Sequence, residues 1–340
     1  MRRNLIVLSV SVFSLFLILQ DSALASDVVR VTTWGGNYKK TYEQTVHLFE
    51  KECNAKVEWE VGSCDAFQVK ARLGQVDVAT TDLVHSIDGE IEGLWAELDP
   101  NKIPNMANLV DIAKHSKYTV FANVGDYALV YNSKRIKKAP TSWDDLWDPA
   151  YKNRVAMYYF LNSGTLSLMI MQAEKRGGSV DNIDPGFQRL VDLYKSGNVL
   201  GMIKGESELV SLYELEEAWI GMLTGGRVKM LWDKGADFMK IVRPKEGTFG
   251  MITTLNVAKG AKNPDLAMKF INHALGPACQ EAFAKNNLYA PTVTNASIPE
   301  GLKAVLIPPE ALNRLYIPDW IAVNKVKGGW SERWNKTISE

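Results

Sequence analysis

The chain is poor in the residues that do chemistry. Its 340 residues include three cysteines, Cys53, Cys64 and Cys279, and four histidines, His47, His85, His115 and His273. No histidine lies at metal-motif spacing from another histidine or a cysteine. Zinc-protease, paired-cysteine, serine-hydrolase and phosphate-loop motifs are absent. The expectation is a protein that is not an enzyme and that uses no metal and no cofactor. Excess charge is missing too, since 39 Lys+Arg balance 39 Asp+Glu. No basic field is available to hold nucleic acid or an anionic membrane. A disulfide framework is equally unexpected. Between Cys53 and Cys64 lies an alternating stretch, residues 55–61, that reads as a strand. Seven extended residues span about 23 Å, and a disulfide tolerates no more than about 7 Å between Cα atoms. Cys279 reads as a small buried residue on a helix.

Long apolar runs are confined to the N-terminus. Arg2 and Arg3 precede an apolar run over residues 5–19, and Ala23-Leu24-Ala25 offers small residues at a cleavage point. This is the pattern of a secretory signal peptide, residues 1–25, cut after Ala25. The run is shorter than the roughly 20 residues of a spanning helix. The rest should then be a soluble periplasmic protein. Its length exceeds what one core usually serves, so two lobes are expected.

Strand and helix signals alternate along the chain. Residues 28–34 are largely β-branched, read as a strand, and end in Gly35-Gly36-Asn37. A helix is predicted over 38–52, a strand over 55–61, a helix over 65–73 and a short strand over 76–79. Residues 118–131 read as two strand-like stretches around Gly125-Asp126. Ser142 looks like an N-cap, with Asp145 in the position of a capping box. A strand over 155–160, helices over 166–176 and 187–196, a strand over 218–222 and a helix toward Lys234 follow. A strand over 250–257 and a helix to Leu275 come next, and residues 289–292 read as a loop. Trp330 and Trp334, four apart on a C-terminal helix, suit packing. The alternation argues for α/β lobes with largely parallel sheets. Tyr158-Tyr159 falls in a predicted strand, where adjacent side chains point to opposite faces, so a joint iron site is not expected. His85 follows a strand and could approach a cleft or be an ordinary surface or core histidine.

Several stretches together resemble one family. They are Val31-Thr32-Thr33-Trp34-Gly35-Gly36, residues 95–105, and Pro140-Thr141-Ser142-Trp143-Asp144-Asp145-Leu146-Trp147-Asp148-Pro149-Ala150-Tyr151-Lys152. Arg243-Pro244-Lys245-Glu246-Gly247, Ala261-Lys262-Asn263-Pro264 and Tyr289-Ala290-Pro291-Thr292 complete the set. In this order they resemble the extracellular solute-binding receptors of ATP-driven importers, in the spermidine/putrescine receptor-like branch. The resemblance implies a bilobal flytrap fold, two α/β lobes joined by crossing hinge strands. Lobe one would hold 27–126 and 252–298, and lobe two 127–251 and 299–340. It also implies a small-molecule solute held between the lobes, and a monomeric receptor serving an inner-membrane ABC permease with its ATPase. A spermidine/putrescine-binding receptor, a sensory receptor of the same fold, and an exported enzyme or metal-binding protein are the alternatives.

Candidate ligand-binding residues follow the strand-to-helix junctions, where α/β sheets bind ligands. Trp34 could pack on the solute, or serve as core, with Gly35 and Gly36 letting the backbone approach it. Ser63 and Asp82 end the next strands, and Asp82 could cap a helix instead. Ser163 and Thr165 join a strand to a helix in lobe two. Arg227 is the candidate carboxylate clamp, or an exposed ion-pairing residue. Asp126 could accept an ammonium group or tie the hinge. Tyr289 comes from a family stretch, and Thr253 from the stretch where this chain departs from the polyamine receptors. Polyamine receptors carry acids where this chain has Thr253 and the stretch 161–164. A dication would lack compensation here, so the expected ligand is a zwitterionic or carboxylate-bearing nitrogen compound rather than a polyamine.

Overall fold

The computed structural model describes residues 27–303, 305–307, 312 and 314–339. The expected signal peptide, 1–25, lies outside them. The first stretch builds β1 (Asp27–Thr33), α1 (Asn37–Glu43), α2 (Val46–Cys53) and β2 (Ala55–Val61). Then come α3 (Cys64–Arg72), β3 (Val78–Asp82), α4 (Leu83–Ile91), the short β4 (Trp95–Ala96) and the long β5 (Val120–Asn132). The second stretch runs β6 (Val155–Tyr158), α5 (Ser163–Glu174), α6 (Asp184–Lys195), β7 (Val199–Ile203) and α7 (Glu206–Glu214). It continues with β8 (Ile220–Thr224), α8 (Gly225–Asp233) and β9 (Met239–Val242). The chain returns through β10 (Phe249–Ala258), α9 (Pro264–Ala274), α10 (Pro277–Asn287) and β11 (Ala290–Pro291), and ends in a helix over Trp320–Ser339. Among the described residues, no helix is long and apolar enough to cross a membrane.

The strands order as β2-β1-β3-β10-β5-β8-β6-β7. β1 pairs parallel with β2 and β3, and β6 pairs parallel with β7 and β8. Between these parallel groups lie β10 and β5, antiparallel to each other and to their outer neighbours. β5 and β10 therefore belong to both halves. The β-branched residues of β1, buried at Val29, Val31, Thr32 and Thr33, suit a strand covered by helices on both faces.

β5 is one continuous strand, not two. Gly125 does not break it. Met251 lies opposite Gly125 in register, and a Cβ there would stand 2.6 Å from Met251 Cε and 2.9 Å from the Tyr289 ring. Glycine is needed for close approach at the crossing, not for a turn. The helix predicted over 38–52 breaks into α1 and α2, where the Thr45 hydroxyl bonds back to the Tyr42 carbonyl. β3 starts later than predicted because Asp77 is occupied elsewhere. Its carboxylate takes Nε and Nη2 of Arg30 at 3.1 and 3.0 Å and the Lys262 amide at 2.7 Å. The strands β7 and β9 and helix α7 are elements that the sequence reading does not predict. Residues 290–291, read as a loop, pair with β5 as β11.

Other expectations agree with the fold. Ser142 and Asp145 form a reciprocal capping box, closing a 3₁₀ turn over Trp143–Trp147. Trp143 stacks on Phe249 at 4.6 Å. The three cysteines are unbridged, and Cys279 is buried on α10. Trp330 and Trp334 are buried, with Trp334 stacked on Phe160 at 4.8 Å. The C-terminal helix also reaches the first half, where Asn324 Nδ2 donates to Asp88 Oδ1 at 2.8 Å.

Candidate functional site

A cavity of about 230 Å³ lies where the halves meet. Its floor is the crossing of β5 and β10, represented by Tyr127 and the run Gly250 to Thr253. Trp34, Asp82, Leu83, Val84 and Tyr289 line it from the first half, Ser163 from the second, and Trp320 from the C-terminal helix. Asp82 is the one charged residue among the described lining.

Local sequence explains the first wall. β3 ends at Asp82, whose side chain accepts from the His85 amide at 2.9 Å and so caps α4. The cap role and a place on the cavity coincide. Asp82 Oδ1 also meets His85 Nδ1 at 2.7 Å, and the side chain keeps 45% of its surface exposed. Burial works against its charge, but the bonds and charge of His85, with a bond from Cys64, hold its carboxyl below the usual range. His85 moves up: burial opposes its charge, and Asp82 and Asp65 outweigh that. Thr253 lies opposite Asp82 in the β10–β3 register. Trp34 leaves the end of β1 and meets Tyr38 edge-on at 4.9 Å. Tyr38 in turn contacts Tyr289 at 6.1 Å and accepts from Asn123 at 3.0 Å.

The second wall uses the same junction with neutral groups. Asn162 caps α5 by accepting from the Gly164 amide at 2.9 Å. Ser163 Oγ donates to Tyr127 Oη at 3.3 Å. A Cβ on Gly164 would stand 2.8 Å from the Tyr127 ring, so glycine lets the start of α5 approach that ring.

Trp34, Asp82, Ser163, Thr253 and Tyr289 are thus brought together, and the remaining candidates are not. Gly35 and Gly36 form an exposed turn before α1, with Gly36 at φ 64°. Ser63 caps α3, accepting from the Ala66 amide at 3.4 Å. Thr165 is fully buried and donates to the Tyr158 carbonyl at 3.0 Å. Asp126 is buried at the crossing, takes the Thr248 hydroxyl at 2.9 Å and lies 3.3 Å from Arg243 Nε. Burial lifts its carboxyl above the usual range, with Arg243 and Thr248 opposing. It ties the hinge and does not face the cavity. Arg227 sits in the first turn of α8, with Nη1 3.1 Å from Met230 Sδ, and does not line the cavity. Tyr127 and Trp320 went unrecognised in the sequence. Tyr127 had a weak signal, its place just past the predicted crossing. Trp320 had none. A separate hollow of about 360 Å³, lined by Glu90, Trp95, Glu97, Tyr118 and Lys259 among others, lies at the far end of α4.

Two α/β halves joined by shared antiparallel strands, with a ligand-sized cavity between them, define a bilobal solute receptor. The chain belongs to the bacterial extracellular solute-binding proteins, whose family model matches residues 90–308. It is similar to the spermidine/putrescine-binding periplasmic protein of Salmonella typhimurium, 28% identical over 251 residues, covering 70% of this chain and 67% of that one. The gamma-aminobutyric acid-binding protein of Pseudomonas aeruginosa is 25% identical over 278 residues, covering 78% and 77%. The solved structure of an ABC transporter protein from Clostridium perfringens superposes with a TM-score of 0.79 at 25% identity, covering 91% of this chain and 99% of that one.

Proposed function

We propose that this chain is the periplasmic receptor of an ABC importer and that its ligand is a small nitrogen-bearing zwitterion. The observation that carries the reading is the make-up of the cavity. Among its described lining residues it has a single acid, Asp82, on one wall among Trp34, Tyr289 and Trp320, and hydroxyls at a helix start on the other. An ammonium group would sit on Asp82 against aromatic faces, which attract cations. A carboxylate would face Ser163, Tyr127 and the first turn of α5, where the helix dipole favours negative charge. A polyamine would need a second acid. Thr253, placed opposite Asp82, is where polyamine receptors carry one by resemblance.

Lobe one would be 27–126 with 252–298, and lobe two 127–251 with the C-terminal segment. The hinge would lie at Gly125 and Met251. Solute contacts to both walls exist together only when the lobes close, so binding favours the closed form. A membrane permease would accept that form, with ATP hydrolysed by a separate subunit and no chemistry done here. The protein would be exported by cleavage after Ala25 and act as a monomer. The Asp126 and Arg227 roles expected from the sequence are not part of this reading.

A thermal-shift screen against putrescine, spermidine, amino acids and γ-aminobutyrate tests it. A solute that binds only the folded protein raises Tm. The expected result is a rise with a zwitterion, lost in Asp82→Asn. A rise with spermidine and none with any zwitterion would overturn the ligand class.

A further inference from the structure

We propose that Cys64, Asp82 and His85 form a binding site for a zinc-class divalent metal on the first wall of the cavity. One potential ligand atom from each lies within 4.8 Å of the other two. They come from separate elements: Cys64 opens α3, Asp82 ends β3 and His85 lies in the first turn of α4. Asp82 and His85 meet locally at the start of α4, and the parallel placement of β2 and β3 on either side of β1 brings Cys64 to them. Thiolate, carboxylate and imidazole are the donor types that zinc accepts.

The orientation of His85 fits a ligand. Its Nδ1 faces Asp82 Oδ1 at 2.7 Å, and its Nε2 lies 3.3 Å from Asp65 Oδ1. One ring nitrogen thus faces the donor trio while the other faces an outer carboxylate, as when a carboxylate orients a metal-bound histidine. Zinc–donor bonds of about 2.0–2.3 Å put tetrahedral donors roughly 3.5 Å apart. The ion would replace the direct Asp82–His85 hydrogen bond, and water from the cavity would complete the fourth position. Metal and a solute ammonium would then contend for Asp82. That consequence rests on the proposed solute reading; metal binding itself does not.

The test is titration of the reduced, signal-free protein with Co²⁺, read by absorbance, and with Zn²⁺, read by calorimetry, with no solute present. The expected result is one equivalent bound and a thiolate-to-cobalt charge-transfer band. Cys64→Ser should abolish the band, and Asp65→Asn should weaken affinity by about 10- to 100-fold. Cys53→Ser should leave both readouts unchanged. Circular dichroism of each metal-free variant checks that it folds. No thiolate band, a band that survives Cys64→Ser, or Zn²⁺ affinity unchanged in His85→Gln would overturn the proposal. A negative metal titration beside a positive zwitterion shift would leave the solute reading standing, and the reverse would leave the metal site standing.

Discussion

The two walls of the cavity are built alike and equipped differently. Each is a strand-to-helix junction with a side-chain cap: Asp82, the last residue of β3, caps α4, and Asn162, four residues past β6, caps α5. On the first wall the cap itself is charged and open to the cavity, with His85 holding it ionised. On the second wall the cap is a neutral amide, and the group offered to the cavity is the neighbouring Ser163 hydroxyl. One local device therefore yields an anionic wall or a donor wall, depending on a single residue. The difference also separates Asp82 from other acids of the molecule. Asp77 is fully buried and saturated with donors, and Asp126 is buried at the hinge. Among these three, only Asp82 lines the cavity.

The largest expected effect tests whether a structural acid differs from a cavity acid. Asp77→Ala strands Arg30, 15% exposed, and should cost about 3–5 kcal/mol of stability, read by denaturant unfolding. The solute affinity of the protein that remains folded should be unchanged; a loss of affinity would erase the distinction. Asp82→Asn should do the reverse. Asparagine still caps a helix, so stability should hold while affinity for the ammonium-bearing solute falls about 10- to 100-fold by calorimetry.

The second wall should respond less. Ser163→Ala removes one neutral hydrogen bond, about 0.5–1.5 kcal/mol, or roughly a two- to tenfold loss of affinity. An effect as large as that of Asp82→Asn would mean that the walls are not unequal. A separate effect, felt only below neutral pH, lies away from the cavity. Burial, with His47 adding to it, lowers the His273 pKa to about 4. The unfolded chain then takes up a proton that the folded chain refuses. Stability should be level above the ordinary value of 6.5 and fall as pH drops from there toward 4. His273→Gln should flatten that part of the Tm profile, and an unchanged slope would assign the acid sensitivity elsewhere.

The sequence by itself determined the elements with strong local signals. A largely β-branched run became β1, an apolar and aromatic run became β6, and Ser142 with Asp145 closed its turn. Asn263-Pro264 started α9, and the Trp330–Trp334 spacing gave the packed face of the last helix. It also determined the neutral charge balance and the family pattern, because both are written in residue order. The elements that escaped were those whose reason is not local. β3 moved because Asp77 binds Arg30 and Lys262, 47 and 185 residues away. β5 stayed whole because Gly125 serves a neighbouring strand. Of the candidate site residues, Trp34, Asp82, Ser163, Thr253 and Tyr289 reached the cavity. Arg227 and Thr165, also at strand-to-helix junctions, did not, since the direction of a side chain in the first helical turn depends on packing. Tertiary structure alone decided that Trp320 closes the cavity, that Asp126 belongs to the hinge, and that Cys64, Asp82 and His85 meet. Such meetings depend on which strands become neighbours in a sheet, and the order β2-β1-β3-β10-β5 is set by long-range pairing rather than by any local run of residues.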